Sequence, residues 1–213
     1  PLLTGAHESY ALACEVMENL FRKKATFFNS GFSANSGVLS ILGSDDTLLI
    51  ADKLAHASMI DGLTASKGKF LRYAHNDYDH LERLIQKSIS EYDNIIIVTE
   101  AVFSMDGDRA DLKRLALIKK SFSNVYLYVD EAHSFCVFGE DGSGLCKSQG
   151  YLDETDFLLL TFGKGAGSQG ACILANETAI DFFIQRFNQS FIYMIFVTKF
   201  KYFISNIFIF IYY

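Results

Sequence analysis

The chain is 213 residues long, half of them apolar and about a fifth charged, which suits one globular domain with a sizeable buried core. Its net charge of -6 and pI near 5.3 argue against an electrostatic nucleic-acid binder, which needs a basic face.

In chain order, apolar positions recur at helical spacing over residues 7–24 (Ala11, Leu12, Cys14, Val16, Met17, Leu20 and Phe21), and the run 25–29 reads as a strand. The turn Ser30-Gly31-Phe32 feeds a helix that begins near Ser33 and ends near Gly43. A strand over 47–51, a helix over 56–67 and a strand over 70–74 follow. The next helix runs from Asp77, a plausible N-cap, to about Ser90. Residues 94–99 (Asn-Ile-Ile-Ile-Val-Thr) form a run suited to a parallel strand buried on both faces. A helix over 110–121, strands over 125–130, 157–161 and 171–175, and a helix over 178–187 complete the order. The connection 165–170 is too short for a crossover helix, so the last two strands are expected to be antiparallel. The alternation predicts an α/β fold with a mostly parallel sheet, helices on both faces and one antiparallel strand, in a single domain without repeat or linker.

Ligands in such sheets bind beyond the carboxyl ends of the strands. Four polar stretches fall there: 29–32, 100–106, 130–133 and 161–164. Lys164 follows an apolar strand in the glycine-rich turn Thr161-Phe162-Gly163-Lys164-Gly165. It reads either as a loop lysine or as an amine that attacks an aldehyde while the glycines admit something bulky. Asp130, at a strand tip, is either a structural acid capping the next turn or the partner of a cationic ring nitrogen, because a buried carboxylate is costly alone. Three residues on, His133 can reach an oxygen on such a ring. The N–H groups at Gly31 and Phe32 lead a helix and suit an anion, and Thr161 can offer its hydroxyl to a phosphate. His56 opens a helix and is either structural or an imidazole stacked on a planar cofactor.

Taken together, Gly31-Phe32, His56, Ser104-Met105-Asp106-Gly107, Asp130-Glu131-Ala132-His133 and Thr161-Phe162-Gly163-Lys164 resemble, in order and spacing, the α-oxoamine synthases, fold-type I pyridoxal-phosphate enzymes. These join an amino acid to an acyl thioester and release carbon dioxide. The resemblance runs over about residues 2–193. It is close in Ala74-His75-Asn76-Asp77, Val98-Thr99-Glu100 and Phe103-Ser104-Met105-Asp106-Gly107-Asp108. Thr161-Phe162-Gly163-Lys164-Gly165 and Gly170-Ala171 favour the branch that joins L-alanine to a pimeloyl thioester. Another branch, such as the glycine acetyltransferases, and a non-catalytic remnant of the fold are the alternatives.

The resemblance implies pyridoxal 5'-phosphate as cofactor, with Lys164, His56, Asp130 and His133 as catalytic residues. Lys164 would hold the cofactor as a Schiff base, Asp130 would pair with the ring nitrogen and His56 would stack on the ring. His133 and Ser104 would bond the phenolic oxygen region, while Gly31, Phe32 and Thr161 would seat the phosphate. Acyl-coenzyme A or an acyl-carrier protein would be the acyl donor and a homodimer the assembly, with neither nucleic acid nor membrane as partner. The family usually has Gly where Cys136 stands and Gly-Arg-Gly where Gly142-Ser143-Gly144 stands.

The four cysteines (Cys14, Cys136, Cys146 and Cys172) form no C-x-x-C pair and no zinc spacing, so reduced thiols in a cytoplasmic protein are expected, with no metal. The chain begins at Pro1 with neither a Met nor a signal peptide, which reads as a fragment lacking the family's N-terminal segment. A cofactor-binding large domain is expected over 1–193. Residues 194–213 read as an atypical apolar tail in place of a small C-terminal domain. Their longest uncharged run, 202–213, is shorter than the roughly 20 residues a membrane span requires.

Overall fold

The structure, a computed structural model, describes residues 8–187. The expected tail at 194–213 lies outside the described residues. The described chain runs α1 (Glu8–Phe21), β1 (Lys24–Phe28), α2 (Gly31–Leu42), β2 (Thr47–Asp52), α3 (Ala57–Ala65), β3 (Lys69–Tyr73), α4 (Tyr78–Ser88) and β4 (Asn94–Glu100). It continues with α5 (Leu112–Lys120), β5 (Val125–Asp130), α6 (Leu145–Ser148), β6 (Phe157–Thr161), β7 (Ala171–Ala175) and α7 (Glu177–Phe187).

The strands form one sheet in the order β1-β7-β6-β5-β4-β2-β3. Strand β7 is antiparallel to both β6 and β1, and the remaining pairs are parallel. Six strands therefore point the same way and end at one edge. Period-two alternation divides each central strand between two cores. Leu48 and Ile50 of β2, with Ile95 and Ile97 of β4, pack toward α1, α4 and α5. Leu49 and Ala51, with Ile96 and Val98, pack toward α2, α3 and α7. Both faces are covered, which explains why these strands read as unbroken apolar runs.

Element ends differ from the sequence expectation where a cap decides. Helix α2 begins at Gly31 rather than near Ser33, because Ser30 and Ser33 form a reciprocal capping box: Ser33 N–H donates to Ser30 Oγ at 3.1 Å and Ser30 N–H donates to Ser33 Oγ at 3.2 Å. Asp111 caps α5, so that helix starts at Leu112 rather than at Ala110. His56 precedes α3 as its N-cap and Ser66 ends it, one residue before the expected Lys67. The four-residue α6 escaped the sequence pattern because one turn carries no periodicity. Asp77 does cap α4, its Oδ1 accepting His80 N–H at 2.8 Å.

The turn after β5 is held by a buried carboxylate. Glu131 accepts the N–H of Leu145 and of Cys146 and the hydroxyl of Ser134. Gly144, at φ +90°, comes so near that a Cβ there would stand 1.8 Å from Glu131 Oε2. Cys136 adopts φ +59°, a conformation suited to the glycine that the family usually carries there. All four cysteines are free thiols, and no described helix is long and apolar enough to cross a membrane.

Candidate functional site

A pocket of about 360 Å³ opens where the parallel strands end. Its lining includes Gly31 and Phe32 from the start of α2, His56 from the β2–α3 turn, Glu100 from the end of β4 and Asp130 from the end of β5, with Thr161 and Lys164 from the end of β6. These strand ends lie far apart in sequence and meet because the sheet is parallel. Six of the eight residues singled out from the sequence thus share one cavity. His133 lies just behind Lys164. Ser104 is exposed on the β4–α5 connection and does not belong to the lining.

Asp130 is buried, and each of its oxygens is held. Oδ1 accepts Ala132 N–H at 2.8 Å and Oδ2 accepts from Asn35 Nδ2 at 2.8 Å. Burial nevertheless raises its pKa, against the pull of these donors and the more distant positive charge of Lys164. A protonated ring nitrogen is the kind of cation this carboxylate would favour.

The Lys164 amine donates to Nε2 of His133 at 2.5 Å. Burial, and then the neighbouring ammonium, lower the pKa of His133, so the imidazole is neutral and its ring nitrogen accepts. Close packing positions the lysine turn: a Cβ on Gly165 would meet the Phe135 carbonyl oxygen at 2.7 Å. Across the pocket, a Cβ on Gly31 would stand 2.5 Å from Thr161 Cγ2, so only glycine lets the α2 N-terminus approach β6 this closely. The capping box occupies Ser33 N–H, whereas the amides of Gly31 and Phe32 lie in the first turn, where a helix offers no acceptor. The Thr161 hydroxyl, which donates weakly to the Ala132 carbonyl oxygen at 3.4 Å, would join them on a phosphate by turning from that acceptor.

Glu100, Asn35 and Ser58 also line the pocket and were not among the eight candidates. Glu100 ends a strand and falls in the polar stretch 100–106 marked from the sequence. Its Oε1 accepts His56 N–H at 2.8 Å, and burial together with the Asp130 carboxylate pushes its pKa up to about 8. Asn35 and Ser58 lie inside helices, where nothing in the pattern distinguishes them. The loop bearing Ser104 is tied down by His75, whose ring lies between Asp52 (2.8 Å) and Asp108 (2.6 Å). Burial would lower the His75 pKa, but the two carboxylates outweigh it and the net shift is upward. Among the described residues no His/Cys/Asp/Glu cluster could hold a metal ion.

A family model described as aminotransferase class I and II matches residues 3–199. Among curated proteins, one from Pasteurella multocida (strain Pm70), provisionally named 8-amino-7-oxononanoate synthase, is 46% identical over 186 residues, covering 87% of this chain and 48% of the relative. Its namesake from Haemophilus influenzae is 48% identical over 177 residues, covering 83% and 47%. The chain spans about half the length of the curated relatives it matches. Among solved structures, 8-amino-7-oxononanoate synthase from Francisella tularensis superposes with a TM-score of 0.78 at 29% identity, covering 95% of this chain and 59% of that one. A serine palmitoyltransferase variant from S. paucimobilis with a bound PLP–myriocin aldimine gives 0.80 at 28% identity, covering 86% and 47%.

Proposed function

Because the chain belongs to the aminotransferase class I and II family, we propose that its pocket holds pyridoxal 5'-phosphate and that the protein is an acyltransferase joining an amino acid to an acyl thioester with loss of carbon dioxide. The observation that carries this reading is the convergence of the Lys164 amine, the Asp130 carboxylate and the α2 N-terminus on one cavity. Within that class we assign it the activity of 8-amino-7-oxononanoate synthase, which joins L-alanine to a pimeloyl thioester in biotin synthesis. The curated relatives and the F. tularensis structure support that choice of substrates.

When bound, the cofactor supplies an electron-withdrawing ring that stabilises negative charge on the carbon beside the substrate's amino group. Lys164 Nζ would be the group that holds the aldehyde, and its amine would be the base and acid for the proton on that carbon. His133 accepts from Lys164 and keeps the amine on the pocket side. Asp130 would keep the proton on the ring nitrogen, since a buried carboxylate favours a cationic partner. Thr161 and the first amides of α2 bind the phosphate. His56 would lie against the ring, and Ser104, outside the pocket lining as the loop stands, would reach it only by a movement of the β4–α5 loop. We take residues 1–193 as the cofactor-binding domain and a homodimer as the assembly, with acyl-coenzyme A or an acyl-carrier protein as donor.

Incubation with pyridoxal 5'-phosphate followed by borohydride reduction should leave the cofactor on Lys164, located by peptide mass mapping, and Lys164→Ala should abolish the label. Labelling at another lysine, or none at all, defeats the proposal. Turnover of L-alanine with pimeloyl thioester against glycine with acetyl thioester separates the two branches of the family.

A further inference from the structure

Asn35 is buried in α2 and makes three side-chain hydrogen bonds. Its Oδ1 accepts from Tyr128 OH at 2.8 Å, and its Nδ2 donates both to Asp130 Oδ2 at 2.8 Å and to Ser58 Oγ at 3.0 Å. The amide orientation follows from charge. A carboxylate only accepts, so the NH₂ end must face Asp130, and Oδ1 is left for the Tyr128 hydroxyl.

The next bond follows from His56. Ser58 Oγ accepts from Asn35, and since Nδ1 of His56 is the acceptor of a backbone N–H, the Ser58 hydroxyl donates its own proton to that Nδ1 at 2.8 Å. The backbone N–H of Ser58 also donates to Nδ1, at 3.2 Å, as the cap of α3. Two donors aimed at Nδ1 leave it unprotonated, and a neutral imidazole then carries its proton on Nε2. The chain of donors has one direction throughout: Tyr128 to Asn35, Asn35 to Asp130 and Ser58, Ser58 to His56.

We propose that Asn35 is a positioning residue that couples the two pocket groups flanking it, orienting the Asp130 carboxylate and, through Ser58, fixing His56 as the Nε2–H tautomer. The functional meaning rests on the reading of the pocket given above, in which Asp130 and His56 both face the cofactor ring. The relay itself does not depend on that reading. A carboxylate that prefers a cation above it is thereby linked to the ring nitrogen that His56 presents.

The test uses the full 213-residue chain labelled with ¹⁵N-histidine and without cofactor, His56 being assigned by His56→Gln. The ¹⁵N shifts should show His56 almost wholly as the Nε2–H tautomer. Asp130→Asn, nearly isosteric and outside hydrogen-bonding contact with His56, removes the charge that orients Asn35. It should lower the Nε2–H population measurably, short of half because the Ser58 backbone N–H still donates to Nδ1, and Asn35→Ala should act in the same direction. Tyr128→Phe removes a donor without freeing the amide to turn, and should leave the tautomer as in the parent. An unchanged His56 tautomer in Asp130→Asn overturns the proposal, even if Asn35→Ala fails to fold. Because no cofactor is present, failure of the relay is distinguishable from failure to bind pyridoxal phosphate.

Discussion

The Lys164 amine stands 2.5 Å from Nε2 of His133, so the charge of the lysine bears directly on the protonation of the histidine. The ammonium is one of the two main reasons that the His133 pKa lies below its ordinary value, burial being the first. Lys164→Met keeps the bulk and removes the charge, so the His133 pKa should rise, with burial holding it short of the ordinary value. Titration of the His133 ring protons by NMR measures this. A pKa that stays put or falls would mean that the lysine is not the neighbour His133 feels.

Glu100 gives stability a pH dependence of its own. Folded, it keeps its proton up to about pH 8, whereas an unfolded carboxyl releases it near 4.5. Between those values the folded state binds more protons than the unfolded one, so stability falls as pH rises through the window. Glu100→Gln lacks the titrating group and should lose this dependence. Urea unfolding of the two proteins should agree best near pH 4 and diverge in favour of Glu100→Gln toward pH 8, by up to about 1.4 kcal/mol per pH unit. Parallel curves would show that the carboxyl is ionised in the fold.

Gly31 and Thr161 offer a paired test of the phosphate seat. Gly31→Ala sets a methyl 2.5 Å from Thr161 Cγ2 and should push β6 away from the α2 N-terminus. Affinity for pyridoxal phosphate should weaken at least tenfold, about 1.4 kcal/mol. Adding Thr161→Ser removes the methyl that clashes but keeps the hydroxyl, and should restore most of the affinity. If the double variant binds as poorly as Gly31→Ala alone, the close approach is not what seats the phosphate.

Much of this architecture can be read from local pattern. The apolar runs at β2, β4, β5 and β6 mark central strands, and the brief 165–170 connection implies that β7 reverses. Strand order is another matter, because β1 finds its partner at the far end of the described chain and nothing within residues 24–28 encodes that choice. The site divides along the same line. Residues such as Asp130, Thr161 and Lys164 sit at strand ends, where position alone marks them. Asn35 acts from within α2, and its value lies in partners 95 and 23 residues away along the chain. Glu100 stood in a stretch marked as functional, yet its shifted pKa depends on burial and on Asp130, both products of folding.

The reversed strand between β1 and β6 also bears on when the protein becomes competent. Lys24 pairs with Ala175, so β1, the first of the described strands, lacks this neighbour until β7 has followed. Closing such a distant pairing is slow, and until then one flank of the sheet stays open. Lys164 lies in the connection just before β7, and the turn after β1 supplies Gly31 and Phe32. The turn bearing Lys164 and the turn bearing Gly31 and Phe32 are therefore locked side by side only when β7, the last of the described strands, has paired with both neighbours.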